Sequence, residues 1–201
     1  MLVTQIELRR KAAALSFVAF ISLIALIDSR AANGQEWKKI TPDGTGISVE
    51  MPGDPKPTTQ TVDTPAGKVE IVLYVLEVPK GAFLVNATTI PPNAPPATVD
   101  ERLDGARNGA VNNSGGKLVS ESKISINGHP GRQLLIENSM GLFIHARVFI
   151  VDKKLVQTVA VSDQKEATDD IKRFMDSLKL LKAGGEAKPG DKSNKLDNSG
   201  K

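Results

Sequence analysis

Two histidines, two pairs of adjacent carboxylates and one strand of mixed character are the groups in this sequence that could do chemistry. His129 sits in the cluster Asn127-Gly128-His129-Pro130-Gly131, and His145 lies in the middle of an apolar-alternating run. No H-x-x-x-H spacing joins them, so a histidine-based metal site is not expected. Asp100-Glu101 and Asp169-Asp170 stand at the starts of expected helices, where capping and the helix dipole account for acids. A serine hydrolase needs a nucleophile, a base and an acid brought together, and no G-x-S-x-G turn is present. Asn127-Gly128 and Gly115-Gly116 read as turns, because no strand, glycine loop and helix follow one another there as a phosphate site requires. With no cysteine in the chain, disulfides and thiolate metal sites are excluded. The expectation is no catalytic residue, no metal and no cofactor, and a protein that is not an enzyme.

The sharper feature is the run Leu142–Val151. One of its faces, Leu142, Ile144, Ala146, Val148 and Ile150, is apolar throughout. The other is Phe143, His145, Arg147, Phe149 and Val151. Aromatic residues there ask for cover, while His145 and Arg147 ask for partners or water. One reading makes Phe143, His145, Arg147 and Phe149 a binding face, with Arg147 meeting an anion. The other pairs Arg147 with an acid of a covering helix or leaves it at the sheet edge.

The elements that must position this face follow from period and punctuation. Ile47, Val49 and Met51 alternate with polar residues and predict a strand that Pro52, Pro55 and Pro57 end. Thr58–Asp63 and Val69–Val78 flank Pro65-Ala66-Gly67 and predict a hairpin. The middle of Val69–Val78 is apolar on both faces, which predicts a strand at the centre of a sheet covered on each side. Ala82–Ile90 predicts a further strand. Thr98-Val99-Asp100-Glu101 is a capping box, and Val99, Leu103, Ala106 and Ala110 repeat at helical spacing until Asn112–Gly116. Lys117–Ile126, Arg132–Asn138, Leu142–Val151 and Leu155–Val161 predict strands joined by short turns. A last helix over about 164–180, capped by Asp163, presents Ala167, Ile171, Phe174, Leu178 and Leu181. Short connections predict a mainly antiparallel sheet, and helices on its faces give an α+β layered domain.

On these residues the chain resembles PsbP-like domains. Trp37 with Thr41-Pro42-Asp43-Gly44, then Ile47-Ser48-Val49 and Met51-Pro52, is similar to the opening of such domains. Asn127–Arg132, the Arg147–Val161 hairpin and Phe174-Met175-Asp176-Ser177-Leu178 are similar to their later part. The superfamily takes in DcrB-type periplasmic proteins and a Ran-binding nuclear import factor. The resemblance covers residues 36–181 and implies an antiparallel sheet between helices, members that bind or scaffold, and no shared catalysis. It carries over no ligand residues. The DcrB type bears a lipobox cysteine that this chain lacks.

The ends of the chain speak of compartment. Arg9-Arg10-Lys11 precede 16 uncharged residues, Ala12–Ile27, and then the small-residue stretch Asp28–Gln35. This is the pattern of a secretory signal peptide. It is short for a membrane span, which takes about 20 apolar residues, so an uncleaved anchor is the alternative. Residues 1–35 are expected as the signal, 36–181 as one α+β domain, and 182–201 as a disordered polar tail. The chain carries 26 Lys and Arg against 23 Asp and Glu. The excess belongs to the two ends, and residues 36–181 carry 17 against 18. Without a basic stripe on the domain, nucleic acid is not an expected partner. The expected protein is exported, periplasmic or extracellular, and binds or scaffolds an unknown protein or cell-envelope partner. It meets a membrane only if the N-terminal segment is uncleaved. The alternative is a small-ligand binding protein or enzyme with a cleft between sheet and helix.

Overall fold

A computed structural model describes residues 36–64 and 67–181, without the side chain of Asp63. The expected signal at residues 1–35, Pro65-Ala66 and the expected tail at residues 182–201 lie outside the described residues. The elements are β1 (Lys38–Ile40), β2 (Ile47–Met51), β3 (Lys56–Thr64), β4 (Gly67–Val78), β5 (Gly81–Thr89), α1 (Val99–Asn113), β6 (Lys117–Ile126), β7 (His129–Glu137), β8 (Phe143–Val151), β9 (Lys154–Ser162), α2 (Asp169–Asp176) and β10 (Lys179–Leu180). All strand pairs are antiparallel, as the short turns require.

Seven strands form the main sheet in the order β3-β4-β5-β9-β8-β7-β6, and β1-β2-β10 form a small second sheet. Two meanders thus meet at β5 and β9. The link between them is α1, which crosses one face and packs on β7 and β8. Its capping box forms as the sequence predicts: Thr98 Oγ1 accepts from the Glu101 amide at 3.2 Å, and Glu101 Oε2 accepts from the Thr98 amide at 2.7 Å. Leu103, Ala106 and Ala110 face Leu134, Ile136, Ile144, Ala146 and Val148 in the core on that side. On the opposite face α2 and the small sheet cover Phe83, Val85, Phe149, Val156 and Ala160. The domain is therefore three layers, with the sheet between two different covers.

Three expectations are corrected. The strand buried on both faces at the sheet centre is β9, whose seven inner residues are all buried, whereas β4 lies next to the edge with Val72 exposed. α1 lies over β7 and β8 and α2 over β9, which leaves β4 half covered. The last helix is α2, eight residues long and capped by Thr168, whose hydroxyl accepts from the Ile171 amide. Asp163 is held elsewhere, by Lys80 at 3.1 Å and by Gln164 Nε2 at 3.0 Å. After Ser177 the chain straightens into β10 against Ile47 and Ser48, so Leu178 is buried in a turn rather than on a helix. Pro57 lies inside β3 instead of ending a strand before it. That strand is an edge of the sheet, where a missing N–H is tolerated.

A charge network ties α1 to the sheet. Arg132 belongs to the core-facing phase of β7 and its side chain is only 7 % exposed. It reaches Asp100 at 2.6 Å and Glu121 at 3.1 Å, and Arg107 bridges Glu121 and Asp104. The hydrogen bond from Arg132, aided by the charge of Lys123, holds the Asp100 carboxyl below the usual carboxylate range. Such a group stabilises the fold above its unfolded pKa of about 3.9. That stabilisation is lost as pH falls through the lower folded value. Asp100→Asn should therefore flatten the fall in melting temperature between pH 5 and pH 2.5. An acid-side fall equal to that of the parent chain would remove Arg132–Asp100 from the account.

Candidate functional site

The sheet is longer than its covers. Beyond α2 the face shared by β6, β7 and β8 is open, and a groove of about 390 Å³ lies between these strands, α2 and the 163–168 connection. Strand alternation supplies its floor. Ser120 and Ser122 of β6, Gln133 and Leu135 of β7, and His145 and Arg147 of β8 share one face, because Ser120 pairs with Leu135, Leu135 with His145 and Gln133 with Arg147. Ala167, Ile171 and Met175 form the apolar part of the wall. Lys165, Glu166 and Lys172 stand at the mouth.

The four residues of the sequence-derived face divide. His145 and Arg147 line the groove. Phe149 is 4 % exposed and belongs to the core under α2. Its ring lies over Gly131, its partner on β7, where a Cβ would run into the ring and the Val148 carbonyl. Phe143 is half-buried at the start of β8 and is not part of the lining. Arg147 is fixed by two partners: its Nε donates to Gln133 Oε1 at 2.9 Å, and its Nη1 lies 2.7 Å from Asp176 of α2. A covering-helix acid thus holds Arg147, and the guanidinium still lines the groove. His145 Nε2 is 3.2 Å from the Gln164 carbonyl, which joins β8 to the 163–168 connection.

The position of α2 sets the width of the groove. Phe174 is fully buried and meets Phe83 edge-on at 5.1 Å, and Phe83 meets Trp37 at 6.4 Å. Arg173 lies over the Trp37 ring at 4.3 Å and pairs with Glu50 of β2. The Glu50 amide donates to Ser177 Oγ at 2.7 Å, which fixes the end of α2 to the small sheet. Thr158 Oγ1 donates to Met175 Sδ from the sheet floor. An eight-residue helix is too short to persist alone, so these contacts hold it.

The other sequence candidates are kept apart. His129 pairs with Ile126 at the far end of β7, roughly 20 Å of strand from Leu135, the partner of His145. Asp100 is taken by Arg132, and Asp169 lies 3.5 Å from Lys172. Among the described residues no cluster of three or more histidine and acidic side chains is placed to hold a metal ion. Sequence reasoning passed over Lys165, Lys172, Gln133, Ser120 and Ser122. Their type carries no signal, and only the crossing of α2 over the sheet gathers them. The Arg132 network had one, a cation in phase with Leu134 and Ile136.

No protein-family model and no curated protein matches this sequence. Solved structures do. The solution structure of cyanobacterial PsbP (CyanoP) from Synechocystis sp. PCC 6803 superposes with a TM-score of 0.51 at 11 % identity, over 78 % of this chain and 99 % of that one. The fold is PsbP-like. At that identity the likeness concerns the fold alone. Two further structures share less. The Ran-binding protein Mog1p of Saccharomyces cerevisiae gives a TM-score of 0.44 at 9 % identity, over 73 % of this chain and 96 % of that one. A protein of unknown function from Pseudomonas aeruginosa gives 0.34 at 14 %, over 63 % and 82 %.

Proposed function

We propose that this chain is an exported, non-catalytic binding domain that holds a protein or cell-envelope partner in the groove beside α2. The observation that carries the proposal is the convergence of Lys165, Lys172, Arg147 and His145 on one open groove with a hydroxyl and amide floor. Lys165 has no ion-pair partner among the described residues. A carboxylate of the partner would meet Lys165 and Lys172 at the mouth, while its apolar groups meet Ile171 and Met175. Export is supported by the sequence pattern of residues 1–35. N-terminal sequencing of the protein from cells is expected to begin after Ala31, Ala32 or Gly34, and a start at Met1 in the membrane fraction would favour the anchor.

Lys165→Glu with Lys172→Glu is the test of the groove. Both side chains are exposed, so the fold should be kept, and recovery of the partner from envelope extracts should fall at least tenfold. Unchanged recovery would move the partner to another surface. A second reading rests on size. About 390 Å³ lies within the range of small-ligand sites, roughly 300–1,000 Å³. A small ligand of the native state would raise the melting temperature by mass action in a ligand screen, and a flat screen would leave the protein-partner reading alone.

A further inference from the structure

The two edges of the seven-stranded sheet are unlike. β3 carries Pro57, which has no N–H to offer an incoming strand. β6 runs ten residues without a proline, and its outer backbone is unpaired in the sheet. The main contacts of α1 are with β7 and β8, and those of α2 with β2 and β9, so neither helix closes this edge. An open edge strand is a template for another strand.

We propose that β6 pairs antiparallel with β6 of a second copy of this chain, about a two-fold axis at Ser122. The sequence of the strand selects both occupant and register. Centred on Ser122, each Glu121, which Arg107 and Arg132 of its own copy already hold, stands opposite Lys123 of the other copy on the same face of the joined sheet and adds a third cation to that network, and this happens twice. Ser120 then faces Ile124. Centred on Glu121 or on Lys123, the strand sets like charges against each other. Centred between Glu121 and Ser122, or between Ser122 and Lys123, it forms no opposite-charge pair, and centred on Val119, where Glu121 would meet Lys117, it would have to pair across the irregularity at Leu118/Ser120. Opposite charges across strands are favourable and like charges are not. The backbone phase agrees. Asn127 and Gly128, both with positive φ, form a two-residue turn, which makes Ile126 and His129 the closing hydrogen-bonded pair. Alternation then points the Ser122 backbone groups at β7 and those of Glu121, Lys123 and Ser125 outward. The irregularity at Leu118/Ser120 lies beyond this stretch. The pairing continues the groove floor from one copy into the next. It stands whatever the groove holds.

A single strand pair buries less than a standard interface, so the expected association is weak, on the order of 10 μM. The chain has no cysteine, which gives a clean background for cross-linking. Ser122 of one copy meets Ser122 of the other as a non-hydrogen-bonded pair with Cα atoms about 4.5 Å apart, a spacing that a disulfide spans. In the full chain, Ser122→Cys should oxidise to a covalent dimer at least tenfold faster than Ser120→Cys. The latter lies on the same strand and face, but its copies are roughly 14 Å apart. Lys123→Glu, which sets Glu against Glu, should sediment as a monomer at 200 μM, where the parent chain is mainly dimer. Equal oxidation of the two cysteine variants would overturn the register. A parent chain that sediments as a monomer at that concentration would overturn the pairing.

Discussion

Phe174→Ala is expected to cost about 4 kcal/mol of folding stability, within the usual range for emptying a buried phenylalanine site. Among the described residues Phe174 is the largest fully buried side chain, and it comes from the eight-residue α2. The helix is anchored by Ile171, Phe174 and Met175, and Phe174 meets the Phe83 ring, which in turn meets Trp37. The surroundings cannot close the gap easily, because Phe83 stands on β5, fixed between β4 and β9. Loss of Phe174 should loosen α2 before it unfolds the sheet. Ile171, Lys172 and Met175 would then leave the groove wall together. Denaturant titration followed by Trp37 fluorescence reads both events, since Trp37 is the single tryptophan and lies against Phe83 and Arg173. A loss below about 1 kcal/mol would mean that α2 is not packed as described.

Gly81→Ala should cost about 3 kcal/mol, at the upper end for forcing atoms into a packed site. The residue opens β5 after Lys80, which itself has φ 67°. It sits between Val78 of β4 and the end of β9. A Cβ there would fall inside the Val161 carbonyl oxygen and crowd the Cα of Ser162. Those are backbone atoms of the central strand, so no side-chain rotation relieves the overlap. The junction of the two meanders would have to spread. Where the chain permits it, Gly→Ala ordinarily stabilises by about 0.4–1 kcal/mol. A stabilised Gly81→Ala protein would therefore contradict the β5–β9 register.

The elements that the sequence made legible are those whose signal is local. The Thr98 capping box and the alternation of Leu142–Val151 each specify their own geometry, whereas the turn expected over Asn127–Gly131 is already complete at Gly128 and His129–Gly131 belong to β7. What escaped depends on distant chain. β1 and β10 are three and two residues long, too short for any period, and exist only because β2 lies between them. The run from Gln164 to Leu180 has helical spacing throughout, yet Thr168 caps it late and the demand of β2 for a partner straightens it after Ser177. β9 hides its central place behind Gln157 and Thr158, both buried, because polar residues in a strand usually signal an exposed face. The groove was half legible. His145 and Arg147 stood out as polar groups on an aromatic-bearing face, but the lysines above them belong to a segment whose crossing of the sheet no local pattern encodes.

The central claim is that the groove beside α2 is the surface that meets a partner, and site-specific photo-crosslinking in intact cells tests it most directly. A photoreactive residue at Lys165 or Lys172 should yield a discrete adduct of higher mass, while one at Asn108 on α1 or at Thr59 on β3 should yield none. Both control positions are exposed and lie away from the groove. Adducts confined to the control positions, or distributed equally over all four, would contradict the account.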